Sequence, residues 1–199
     1  MSGGPSDEFA QTIFAEDKFV ERKQGWGKYF WQVTYAHTIA YAVAGIFAVL
    51  VMDYSGLWEE EIVVTLMRPL DSPIIPLGMG LQVFRGLLLA LIFLPLRRTF
   101  FEEKHGLAKL AVMIVGLSYL STFGPGFGSF EGFIYTNLPL RHHFWGIPEL
   151  VFYVSSFIGL LYVAIKHAHR KIFTVLSILV VAMIIFMSIM GFAVALQIA

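Results

Sequence analysis

The chain is predicted to be an all-α, polytopic integral membrane helix bundle of about five transmembrane helices with a cytoplasmic N-terminus. Three observations predict this. Of its 199 residues, 57% are hydrophobic and only 14% charged, against roughly 45–50% and about 25% in a soluble globular domain. Uninterrupted apolar stretches recur along the chain, and a helix needs about 20 such residues to cross the hydrocarbon core. The basic residues concentrate in alternate connecting segments, which is the asymmetry that orients a membrane protein.

Composition also excludes several classes. The 14 basic and 14 acidic residues balance, so the basic excess of a nucleic-acid-binding domain is missing and no nucleic-acid partner is expected. With no cysteine there is no disulfide scaffold, thiolate nucleophile or Cys-ligated metal. A mean hydropathy of +0.73 excludes general disorder.

Residues 1–28 read as a cytoplasmic amphipathic leader. Ser6 can cap a short helix, Asp7 and Glu8 suit its positive end, and Phe9, Ile13 and Val20 recur on one side. The first span, 29–52, is too long for the apolar core of a cleavable signal peptide and is expected to remain in the mature protein. Thr34, His37, Thr38, Tyr41 and Gly45 give it one polar face at helical spacing.

The first outer loop, 53–76, holds Glu59, Glu60 and Glu61, placed for the first turn of a short helix. Trp58, Ile62 and Leu66 are expected on one face of that interfacial helix, with Trp58 at headgroup level. Pro69, Pro73 and Pro76 mark an extended return. The second span, 77–96, is opened by Pro76 and closed by Pro95. The third, 107–123, is the shortest, carries Lys109 and is stopped by Gly124-Pro125-Gly126.

The second outer loop, 124–147, is 24 residues dense in glycine and aromatics. Loops of that length usually have structure or function of their own. It is expected to be structured and re-entrant, dipping into the bilayer edge or packing over the bundle mouth, because irregular backbone at that depth must be covered by protein or line a cavity. The fourth span, 148–165, begins with Pro148 in its first turn, where the missing N–H costs nothing. The fifth, 172–198, carries no charge. Eleven Lys and Arg fall on the side of the N-terminus and two on the other, and this assigns a multi-pass protein of the cell (cytoplasmic or inner) membrane.

Arg85 lies well inside the second span, and an ionisable residue there is a functional hypothesis by default. Gln82 stands one turn before it, and Gly78 and Gly86 share that side. His37 reaches a similar depth in the first span. The lack of a second intramembrane histidine argues against an axially ligated haem. The second outer loop and the head of the fourth span add Glu131, Tyr135, Arg141, His142, His143 and Glu149. Histidine with carboxylate suits acid–base work or a divalent ion, but no His-Glu-x-x-His is present and adjacent histidines on an extended segment diverge. No metal and no cofactor are therefore expected. A plain structural account pairs Arg85 with Glu131 and assigns Glu149 to the dipole of its helix.

These features lead to a transport or permeation component for a small polar or anionic solute, working in an oligomer. Polar stripes on the first two spans would face a cavity, and Arg85 would favour an anion or a carboxylate. Two alternatives stand beside it. One is a non-catalytic subunit of a larger membrane complex. The other is a membrane-embedded enzyme acting on a lipid-type substrate at the outer interface, the balance leaning against an enzyme. The expected partners are the lipid bilayer and either further copies of the chain or a heteromeric complex.

Overall fold

The computed structural model describes residues 25–119 and 128–198, and among them every regular element is helical. In chain order these are α1 (Trp26–Val51), α2 (Tyr54–Trp58), α3 (Glu61–Leu66), α4 (Ile74–Phe93), a 3-10 turn (Leu94–Leu96), α5 (Arg97–Phe101) and α6 (Gly106–Tyr119). They continue with α7 (Phe130–Tyr135), α8 (Leu140–Trp145), α9 (Ile147–Lys166) and α10 (Lys171–Ile198). Four stretches, Trp26–Val51, Ile74–Phe101, Leu140–Lys166 and Lys171–Gln197, are long and apolar enough to cross a membrane. That is the make-up of a multi-pass membrane protein.

The expected third span, 107–123, is described only in part. Its described part, α6, is 14 residues long, about 21 Å at 1.5 Å per residue, short of the roughly 30 Å a hydrocarbon core requires. Residues 120–123 of that expected span, the Gly124-Pro125-Gly126 stop and the N-terminal leader lie outside the described residues.

α1 is the centre of the bundle. α4 and α9 pack along it, α10 packs on α4 and more lightly on α1, and α6 leans on α9. Hydrogen bonds fix the directions. The Tyr29 hydroxyl donates to the Ala90 carbonyl at 2.9 Å, and His37 meets Gln82 at 3.2 Å, so α1 and α4 run antiparallel. Gln32 donates to the Ala164 carbonyl at 2.9 Å, and Phe47 stacks on Phe152, so α9 also opposes α1. Trp31 donates from its indole to Ser177 at 3.0 Å, and Ser188 further along meets Gly80 of the antiparallel α4, so α10 runs parallel to α1.

These directions gather the start of α1 and the α4–α6 and α9–α10 connections at one end. Lys28 donates to the Ala168 carbonyl there, Lys109 pairs with Glu103 at 2.6 Å, and the Arg97 guanidinium lies 5.2 Å over the Tyr29 ring. Beneath this charged layer, Tyr29, Phe93, Phe100, Leu110 and Leu161 form the buried core. The guanidinium over an aromatic face shields that core while keeping its charge at the rim.

A serine locks α10 onto α4. The Ser188 hydroxyl accepts from the Gly80 N–H at 3.0 Å and donates to the Pro76 carbonyl at 2.7 Å. Those two backbone groups are i and i−4, partners in a regular helix, so the hydroxyl sits within the hydrogen-bond ladder of α4. Pro76 itself falls inside the first turn of α4, not ahead of it, because the helix already begins at Ile74.

At the other end the short helices α2, α3, α7 and α8 fill the two segments expected as outer loops. The Trp58, Ile62 and Leu66 stripe is not continuous. The chain turns at Glu59 and Glu60, leaving Trp58 as the last residue of α2, where its indole donates to the Arg68 carbonyl at 2.9 Å. Pro148 occupies the first turn of α9 as expected. Only Gly146 separates α8 from α9, so the described part of the second outer loop is mostly helical.

Candidate functional site

The middle of the bundle is organised around His37. Its ring is buried, with Nδ1 2.7 Å from the Tyr153 hydroxyl of α9 and Nε2 3.2 Å from the Gln82 side-chain oxygen of α4. For Gln82 to accept, Nε2 must carry the proton, so Nδ1 accepts from Tyr153. Gln82 in turn donates from its amide to the Gly78 carbonyl at 3.1 Å. A chain of hydrogen bonds thus runs Tyr153, His37, Gln82, Gly78 across three helices. Aromatic edges complete the setting: Tyr153 and Phe157 stand T-shaped to the imidazole at 5.6 and 6.2 Å.

The rest of the α1 polar stripe is consumed locally. Thr34 donates to the Phe30 carbonyl and Thr38 to the Thr34 carbonyl, and both side chains are buried. Thr34, His37 and Thr38 of the stripe are thus buried among the helices that pack on α1. The physical reason is the close approach of α4. An added Cβ on Gly86 would lie 2.9 Å from the Thr34 backbone, so the two helices touch main chain to main chain and no space is left between them.

Arg85 stands beside this cluster but on a different face. Gly86, Ala90 and Phe93 bury the side of α4 that meets α1, whereas Arg85 is exposed together with Phe84 and Leu88. It lies within electrostatic reach of both His37 and Tyr153. Among the described residues it makes no ion pair, and the expected partnership with Glu131 is not among their salt bridges. Glu131 instead occupies the first turn of α7, next to the Ser129 cap, whose hydroxyl accepts from the Gly132 N–H at 2.9 Å. Intramembrane charges normally face the bundle interior, and in this single chain Arg85 does not.

The second constellation lies at the end bearing the short helices. Glu60, expected in the first turn of a short helix, draws α3 and α8 together. One carboxylate oxygen accepts from Arg141 at 2.5 Å and lies 2.9 Å from His142 Nε2. His142 and His143 are both buried in the last turn of α8, so they belong to a helix and not to the extended segment expected. His143 packs edge-on to Phe133, and its Nδ1 has no hydrogen-bond partner among the described residues. Tyr135 is well exposed and takes no part.

Glu149, in the first turn of α9, has a further role beyond the helix dipole. It accepts from the Tyr54 hydroxyl at 2.7 Å and so ties α2 to α9. Burial first, and then the Glu149 hydrogen bond and negative charge, push the Tyr54 ionisation well above its ordinary range.

The structure thus places the sequence candidates in two separate groups. His37 and Gln82 meet, with Arg85 beside them. Arg141 and His142 meet through Glu60. Tyr153 and Glu60 are the partners that sequence reasoning missed. Among the described residues, no three His, Asp or Glu side chains converge as a metal-binding set. No protein-family model, curated protein or solved structure matches the chain, and its chemistry must be argued from these residues alone.

Proposed function

We propose that the chain is a component of a membrane transport or permeation pathway for a small anionic or carboxylate-bearing solute, acting in an oligomer. The observation that carries this reading is Arg85, an exposed cation halfway along an apolar helix of span length. A guanidinium at that depth costs at least about 2.5–3.5 kcal/mol on insertion scales. Something beyond the described chain must offset that cost, and an anion passing along a water-lined surface between subunits does so. The buried His37 chain supports the arrangement as a scaffold, since both ring nitrogens are already engaged. The positive-inside rule supports a cytoplasmic position for the basic end.

The test is flux in proteoliposomes, comparing wild type with Arg85→Gln and Arg85→Lys. Radiolabelled acetate, formate and glycerol are the probes. Acetate or formate uptake is expected to fall at least about tenfold in Arg85→Gln, with partial retention in Arg85→Lys and unchanged oligomer size by native mass spectrometry. Equal uptake by wild type and Arg85→Gln would rule the reading out.

A second reading is favoured by the same residue. In a non-catalytic subunit of a larger complex, Arg85 would pair with a carboxylate on a neighbouring helix of another protein. Trp26–Val51, Ile74–Phe93 and Lys171–Ile198 contain no Asp or Glu, so among the long helices a further copy of this chain would offer only Glu149, which already accepts from Tyr54. Absence of flux together with a stoichiometric foreign partner after gentle purification would select this second reading.

A further inference from the structure

Between α3 and the Thr136–Arg141 segment lies an open groove of about 980 Å³, at the upper end of the roughly 300–1,000 Å³ range of small-molecule sites. We propose that it holds the headgroup and upper acyl region of a zwitterionic phosphoethanolamine lipid drawn from the surrounding bilayer. The groove is separate from Arg85 and does not depend on the transport reading.

Its position gives the first argument. The groove sits where α1 has ended and α4 has yet to begin, at the level of the span ends. The apolar side chains of Val64, Leu66 and Met67 are exposed on this part of the chain, which suits contact with acyl chains at the edge of a bilayer. The lining gives the second argument. Leu66 and Leu138 form an apolar part, while Arg141, Asn137 and Glu61 bring a cation, an amide and a carboxylate into the same groove. That division matches an amphiphile and fits neither a plain ion nor a fully apolar ligand.

Charge decides the headgroup. Arg141 gives one nitrogen to Glu60 and, with five N–H donors in its guanidinium, keeps others for a phosphate oxygen. Glu61 makes no ion pair among the described residues and can take an ammonium. With Glu60 and Glu61 against Arg141, the lining carries more carboxylate than guanidinium, which disfavours a purely anionic lipid. A phosphate beside Arg141 and an ammonium beside Glu61 satisfy both. Asn137 donates to the remaining phosphate or ester oxygens.

The experiment uses the full chain, delipidated in detergent and examined by native mass spectrometry with equal amounts of dioleoyl phosphatidylethanolamine and dioleoyl phosphatidylglycerol. Wild type is expected to retain the ethanolamine lipid about tenfold better than the glycerol lipid. Arg141→Gln should lower that retention about tenfold, and Glu61→Gln should abolish the preference between the two lipids. Because Arg141 also holds Glu60, Leu138→Trp provides an independent arm that fills the groove without touching that pair. It should lose the lipid while keeping the wild-type unfolding midpoint. Retention by Leu138→Trp equal to wild type, or a wild-type preference for the glycerol lipid, would overturn the proposal. So would competition by soluble O-phosphoethanolamine as effective as the lipid itself, since the apolar part would then contribute nothing.

Discussion

Replacing Gly86 with alanine puts a methyl group where the main chains of α1 and α4 already meet. The new Cβ would lie 2.9 Å from both Cα and O of Thr34, against 3.4 Å or more for ordinary contact. The obstacle is backbone inside a helix, so no rotamer change relieves it, and α4 must retreat by about half an ångström. Overpacking of this kind costs about 1–3 kcal/mol. Alanine regains up to about 1 kcal/mol of helix propensity over glycine, leaving a net loss of about 0–2 kcal/mol against wild type and about 1–3 kcal/mol against a glycine-to-alanine change that meets no obstacle. The retreat also lengthens the 3.2 Å contact of His37 with Gln82, one turn away. The assay is unfolding in mixed micelles by titration with a denaturing detergent, followed through the fluorescence of Trp26 and Trp31 in α1. Gly78→Ala is the matched control, since its added Cβ meets nothing within 4 Å. It should be as stable as wild type or slightly more so. If Gly86→Ala and Gly78→Ala unfolded at the same midpoint, the close approach of α1 and α4 would be refuted.

The same titration tests the hydrogen bonds. Tyr153→Phe strips the hydroxyl held 2.7 Å from His37 Nδ1 and leaves a buried nitrogen unsatisfied, a loss of about 1–3 kcal/mol. A double-mutant cycle with His37→Phe should return a coupling above about 0.5 kcal/mol, and additivity would remove the pairing. Ser188→Ala takes away the hydroxyl between Gly80 and Pro76 and should lower stability by about 0.5–1.5 kcal/mol, whereas an unchanged midpoint would show that α10 is held by apolar packing alone. Tyr54 gives a pH dependence. Its ionisation is raised in the folded protein, so its contribution is full below the ordinary tyrosine value of 10.0 and is lost as pH rises from there towards the folded value. The stability advantage of wild type over Tyr54→Phe should therefore be constant up to about pH 10 and shrink above it. An advantage that grew with alkaline pH would contradict the Tyr54–Glu149 contact.

Hydropathy made the four long helices legible because their composition is dominated by lipid-compatible side chains, and Pro148 marked the start of α9. Local chemistry was harder to read. His142 and His143 were expected on an extended segment, but Leu140–Trp145 forms a helical turn and a half. The contact of Glu60 with Arg141 and His142 arises only when residues 81 and 82 positions apart meet. The depth of Arg85 was countable from sequence. Its facing was not, since Gln82 and Arg85 are three residues apart and only the packing of Gly86 on Thr34 decides which of them turns inward. Tyr153 could have been found as a polar tip one turn before Phe157 on α9, beside Ser155 and Ser156.

The hydrogen-bond chain through His37 also has a place in time. His37 is 45 residues from Gln82 and 116 from Tyr153, and chains are synthesised at about 5–20 residues per second. Its Nδ1 partner is therefore made roughly 6–23 s after the ring itself. Through that interval α1, the described helix with the most buried polar side chains, has only α4 of the helices that pack along it. The molecule's most interior helix is thus the one its assembly exposes longest, and any factor that attends the nascent chain has a defined segment to guard, Thr34 to Tyr41, until α9 arrives.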